Sequence, residues 1–207
     1  PNMQICAPRT AEDLKEMLTL AENLEGPVAI RYPRGRAAVD ELRITNYELR
    51  REEVRYGKGV KLRDGEDIAV LTIGAIGNTM AEAIESVSPK DGLSAKRSVS
   101  ETVCQSEGRS VSFAHYDMRW LKPLDEEILH EVGKKYKTIV TAEDGMIAGG
   151  LGSAVLEWMA DHGYTPRVIR LGVNDQFVEH GSTKELYHML KLDKEGLCES
   201  LLQVPVK

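Results

Sequence analysis

From residue 67 to the C-terminus, short apolar runs alternate with longer amphipathic ones, and few folds tolerate that rhythm. IAVLTI (68–73) is a continuous apolar run, as expected for a strand covered on both faces. The stretch 79–87 carries its apolar residues at helical spacing. Further strands are expected at 111–116, 138–141 and 167–171, and further helices at 126–133, 153–163, 184–190 and 193–203. Asp125 is placed to cap the helix after it, Ser182 or Thr183 the next but one, and Gly163 suits the C′ position of the helix it follows. The order β-α-β-α-β-α-β-α predicts an α/β fold, a mostly parallel sheet with helices on both faces and right-handed crossovers.

Within that frame the stretch 138–159, TIVTAEDGMIAGGLGSAVLEWM, reads as strand, glycine-rich loop and amphipathic helix. Open α/β sheets bind ligands at the C-terminal ends of strands, which is where this loop falls. The GGLGS segment offers backbone N–H groups at a helix start, an anion site in principle. The competing reading is that its glycines let the helix sit close against the strand. Glu143 and Asp144 precede the loop, and neighbours on an extended segment point opposite ways, so only one can face a given site.

Residues 1–35 read as the tail of a different domain. ICA (5–7) is a short strand candidate. Thr10 is a candidate N-cap with Asp13 as its capping-box partner. Leu14, Met17, Leu18, Leu20, Ala21 and Leu24 recur at helical spacing, and Gly26-Pro27 ends the helix. VAI (28–30) is a buried-strand candidate, and RYPRGR (31–36) follows it directly. Arg31 and Arg34 stand at the end of that strand, with Pro33 fixing one backbone angle between them. Two guanidinium forks so placed can bind a phosphate; a basic surface turn paired with Glu or Asp is the alternative.

Residues 36–55 are charged and poorly periodic, and read as an inter-domain linker before a second domain at 56–207. An edge strand is expected at 57–62 and a hairpin-type turn at 63–66. GAIGN (74–78) lacks the glycine spacing of a dinucleotide loop. Residues 88–109 are polar, hold few large apolar side chains, and read as a mobile insertion.

Composition narrows the function classes. With 42% hydrophobic and 29% charged residues the chain is of globular type, and its net charge of −6 argues against a nucleic-acid surface. No apolar run approaches the ~20 residues of a membrane helix. Three widely spaced cysteines fit free thiols in a reducing compartment, hence a cytoplasmic protein. The five histidines are scattered, without the i+3 or i+4 pairing of a helical metal site. Phosphate-loop, HExxH and GxSxG motifs are absent. A start at Pro1, with no Met and no signal-peptide pattern, sets the expectation of a piece of a longer polypeptide.

Seven segments together resemble one family: ICAPRTAEDLKEML, GPVAIRYPRG, GKG followed by DIAVLTIG, YDMRWLKPLDEEIL, VTAEDGMIAGGLGSAVLE and GVNDQFVEHGSTKELYHMLKLDKEG. They resemble the C-terminal third of the 1-deoxy-D-xylulose-5-phosphate synthases, of the transketolase superfamily. The resemblance implies a pyrimidine-binding-domain tail at 1–35 and a transketolase-type C-terminal domain at 56–207. It implies a parent transferase that condenses pyruvate with glyceraldehyde 3-phosphate, releasing CO2 and feeding isoprenoid and thiamin precursors. It implies thiamin diphosphate and Mg2+ in a homodimer, with the rest of the polypeptide as this chain's partner. RYPRG maps the aldehyde-phosphate arginine onto Arg34, with Arg31 in support. The family's cofactor-binding motif and activating glutamate would lie upstream of Pro1, so no catalytic, cofactor-binding or metal residue is assigned and the isolated chain is expected to be inactive. A transketolase, a 2-oxo-acid dehydrogenase β subunit and a non-catalytic scaffold or regulatory domain are the alternatives.

Overall fold

The computed structural model describes residues 2–34, 53–88 and 111–205. The expected linker at 36–55 and insertion at 88–109 therefore lie outside the described residues, except at their edges. The N-terminal segment forms β1 (Gln4–Cys6), α1 (Ala11–Ala21) and β2 (Val28–Ile30). Thr10 caps α1 and Asp13 completes the capping box, as the sequence predicts. The remainder runs β3 (Val60–Arg63), β4 (Ile68–Thr72), α2 (Ile76–Val87), β5 (Phe113–Asp117), β6 (Trp120–Lys122), α3 (Glu126–Lys135), β7 (Thr138–Met146), α4 (Leu151–Asp161), β8 (Arg167–Val173), α5 (Thr183–Met189) and α6 (Lys194–Leu202).

Five strands make one sheet in the order β3-β5-β4-β7-β8. The β5-β4-β7-β8 pairings are parallel, and only edge strand β3 is antiparallel to its neighbour. Alternation along β4 sends Ala69 and Leu71 to one face and Ile68 and Val70 to the other. The first face packs on Leu129 and Val132 of α3 and on Leu151 and Val155 of α4. The second packs on Ile76, Met80 and Ile84 of α2 and on Leu197 and Leu201 of α6. Helices thus cover both faces, the arrangement that continuous apolar strands demand.

Two expectations are corrected. Residues 63–66 do not close a β-hairpin: β3 pairs with β5, because both edges of β4 are taken by parallel partners. The chain instead passes over the start of β5, where a Cβ on Gly65 would lie 2.2 Å from the Ala114 nitrogen. The expected buried strand at 28–30 forms but is half-exposed, since it is the edge of a small second sheet, β2-β1-β6.

That second sheet carries an unexpected strand. β6, from the C-terminal half of the sequence, pairs antiparallel with β1. Trp120 of β6 is fully buried among Cys6, Met17 and Val54. Val54, inside the expected linker, is therefore packed against the N-terminal segment.

Candidate functional site

Arg31 and Arg34 leave β2 on the exposed surface. The Arg31 backbone N–H donates to the Cys6 carbonyl at 2.9 Å, extending the β1-β2 ladder by one rung. Its guanidinium reaches the end of β7. Nη1 pairs with Oδ1 of Asp144, and Nη2 donates to the Asp144 carbonyl at 2.8 Å. Asp144 is held from its other side by α5, whose Tyr187 hydroxyl donates to Oδ2 at 3.0 Å. Burial, reinforced by the Asp144 charge, pushes the Tyr187 hydroxyl up to about 12, so it stays a donor at neutral pH. Arg34 differs: it is exposed, and no described residue pairs with it.

The glycine loop answers the question its sequence left open. Glu143 is buried, and its carboxylate accepts the Leu151 N–H at 2.9 Å and the Gly152 N–H at 3.0 Å. The α4 N-terminus thus has an internal anion, a favourable partner for its dipole. Gly150, the N-cap, has no side chain to do that job, and a Cβ there would fall 2.0 Å from Glu143 Oε2. A Cβ on Gly152 would meet Thr141 Oγ1 at 2.7 Å and Arg170 Cγ at 2.6 Å. Close helix–sheet packing therefore requires glycine at both positions. Glu143 and Asp144 diverge as consecutive strand residues must, one to α4 and one to Arg31.

A second polar cluster joins the two sheets at the DMR segment. Arg119 Nη2 pairs with Asp13 Oδ1 at 2.9 Å, and both side chains are buried. Asp117 is fully buried, with Arg9 Nε at 3.4 Å from its Oδ2 and the Arg119 N–H at 3.1 Å from its Oδ1. Arg9 also donates to Asn78 Oδ1 at 2.8 Å. Burial raises the Asp117 carboxyl to about 6, against the pull of the two arginines. On the same strand burial holds the His115 imidazole down at about 3, and Thr72 Oγ1 lies 2.9 Å from its Nε2. The Cys6 thiol is buried too, which raises it to about 11 and leaves it unreactive.

The sequence set Arg31 beside Arg34 and Glu143 beside Asp144 but did not join the arginines to the acids. The partners stand 113 residues apart for Arg31 and Asp144, and 106 for Asp13 and Arg119, beyond any local pattern. Tyr187, Arg9 and Asp117 carried no sequence signal of their own. Among the described residues, no group of three or more His, Cys, Asp or Glu is placed to hold a metal ion. Of the loop amides that could have received a diphosphate, those of Leu151 and Gly152 are engaged by Glu143 and that of Gly149 by Ser153 Oγ. The described residues therefore do not fit a metal–diphosphate cofactor, and no step is assigned to one on this chain.

Residues 99–197 match the transketolase C-terminal domain. A solved split-gene transketolase, described as an inactive β4 tetramer, superposes with a TM-score of 0.75 at 28% identity, over 97% of this chain and 57% of that one. A transketolase mutant from Pichia stipitis shares the fold, with a TM-score of 0.57 at 15% identity over 97% of this chain and 25% of that one. The chain is thus a transketolase-type α/β chain carrying the C-terminal domain of that superfamily. Within that class it matches the C-terminal portion of 1-deoxy-D-xylulose-5-phosphate synthase. It is 48% identical to the synthase of Bacteroides fragilis over 95% of this chain and 27% of that protein. It is 46% identical to that of Bacteroides thetaiotaomicron, over 98% of this chain and 28% of that protein. With the Caldanaerobacter subterraneus synthase the identity is 36%, over 98% of this chain and 29% of that protein. The chain spans only 27–29% of the length of these relatives.

Proposed function

We propose that this chain is the C-terminal part of a thiamin-diphosphate-dependent synthase that condenses pyruvate with glyceraldehyde 3-phosphate, giving 1-deoxy-D-xylulose 5-phosphate and CO2. Thiamin diphosphate, held with Mg2+ on other parts of a cytoplasmic homodimer, would supply the electron sink for decarboxylation. The residues of this chain bind and orient. Arg34 receives the phosphate of the aldehyde substrate, and Arg31 supports it from the same turn. Residues 1–35 close the pyrimidine-binding domain, and 56–207 form the transketolase-type C-terminal domain. By itself the chain is inactive.

The observation that carries the Arg34 role is the contrast within one turn. Arg31 is engaged by Asp144, whereas Arg34 is exposed and unpaired among the described residues. An arginine without a protein carboxylate keeps all its donors for a phosphate. Arg34→Ala in the full-length enzyme removes a charge-assisted contact of about 1.5–3 kcal/mol, so the KM for glyceraldehyde 3-phosphate rises about 10–100-fold. The pyruvate KM stays within about twofold, as expected for a contact made to the other substrate alone. An unchanged aldehyde KM removes Arg34 from this role. Likeness to transketolases favours a ketose donor as a second reading. Steady-state assays with pyruvate against a ketose phosphate separate the two, and turnover with the ketose alone overturns the first.

A further inference from the structure

We propose that Asp144 and Tyr187 are positioning residues that set the reach of Arg34 by anchoring Arg31, so that the C-terminal domain governs phosphate recognition by the preceding segment. This rests on the phosphate reading of Arg34. It changes the part of Arg31 from a second phosphate ligand to the fixed end of the turn.

The anchoring is geometric. The Arg31 main chain is pinned to β1 through Cys6, and its side chain grips both the carboxylate and the carbonyl of Asp144. Two donors into one residue fix direction as well as distance. Arg31 is 54% exposed but Asp144 only 14%, and Tyr187 occupies the remaining carboxylate oxygen. An exposed ion pair alone would add little stability. This one matters for what it immobilises. Arg34 lies three residue steps beyond Arg31, a reach of about 10 Å when extended. Pro33 fixes its own φ, and the residue before a proline, Tyr32, is driven to extended conformations. With one end anchored and the middle stiff, the Arg34 guanidinium samples a small volume. Releasing Arg31 from Asp144 has two effects: Arg34 swings more widely, and a second guanidinium loses its neutralising carboxylate.

The test uses the full-length enzyme with glyceraldehyde 3-phosphate and, separately, with unphosphorylated D-glyceraldehyde. Asp144→Ala should raise the KM for the phosphorylated aldehyde about tenfold, and the milder Tyr187→Phe about threefold, as lost positioning contacts rather than lost chemistry. The kcat, the pyruvate KM and the kinetics with unphosphorylated aldehyde should stay unchanged, a split that general structural damage would not produce. Asp144→Glu should recover part of the loss, and Asp144→Ala should add nothing in an Arg31→Ala background. Equal losses with both aldehydes, or an unchanged phosphorylated-aldehyde KM in both variants, overturn the proposal. Should Asp144→Ala fail to fold, the isosteric Tyr187→Phe alone decides. Arg34→Ala separates the two levels. If it leaves the aldehyde KM unmoved, the phosphate reading itself fails. If it raises that KM while the Asp144 and Tyr187 variants do not, only the anchoring fails.

Discussion

Glu143 caps a helix that begins eight residues later, a task usually given to the residue just before the first turn. Gly150 occupies that place with no side chain, so β7 supplies the acceptor instead. Glu143→Ala would strand two buried N–H groups at the start of α4, at about 1–3 kcal/mol for each group left unsatisfied. We expect a loss of about 3 kcal/mol in urea denaturation, and about half that for Glu143→Gln, which keeps one acceptor oxygen. A loss below about 0.5 kcal/mol for the alanine variant, the size of an ordinary surface substitution, would sink the capping role. The same contact explains why an anion site could not be settled from GGLGS alone. The loop has the donors, but their partner is a side chain whose direction depends on how β7 ends.

At the scale of elements, legibility followed burial. The continuous apolar run of β4 and the caps Thr10, Asp125 and Ser182 are local signals, and each appears where the sequence placed it. α2 and α4 begin earlier than their periodicity suggested, because neither has a side-chain N-cap to mark its start. β6 was illegible: three residues are too few for a period, and it exists because β1 offers a free edge. At the site Arg31 and Arg34 could be read as a pair, while Asp144 and Tyr187 reach the turn only through tertiary folding.

β5 packs two titratable groups, and they pull opposite ways with pH. Asp117 rises from 3.8 to about 6 on folding, so its contribution is present below pH 3.8 and is lost as pH climbs through 6. His115 falls from 6.5 to about 3, so its contribution is present above pH 6.5 and fades as pH drops toward 3. Between pH 4 and 6 the two slopes offset each other. Urea midpoints across pH 4–7 should therefore fall relative to Asp117→Asn as pH rises, and fall relative to His115→Gln as pH drops. Parallel pH profiles for wild type and either variant would contradict the burial of that group's charge.

For the whole molecule, the question is what binds the N-terminal segment to the five-stranded sheet. Apolar packing contributes through Trp120, which is enclosed by Cys6, Met17 and Val54 and meets the Tyr56 ring edge-on at 5.1 Å. Charge contributes through Arg119–Asp13 and Arg9–Asp117, each pairing one residue of the segment with one from the DMR stretch. Buried pairs of this kind add modest net stability when intact but are costly to break singly, because the surviving charge stays buried. Arg119→Met should leave Asp13 without its guanidinium at a site where both side chains are under a tenth exposed, costing about 3–5 kcal/mol. The cost should fall unevenly. β4, β5 and β7 are held by neighbours on both edges and covered on both faces, whereas β1 and β2 depend on β6 and on this cluster. Hydrogen exchange of the variant should therefore show residues 4–30 losing protection while the amides of β4 and β7 keep theirs. If protection fell equally in both regions, the two sheets would be one cooperative unit. The anchoring of Arg31 by Asp144 would then be one contact among many that hold the segment to the sheet.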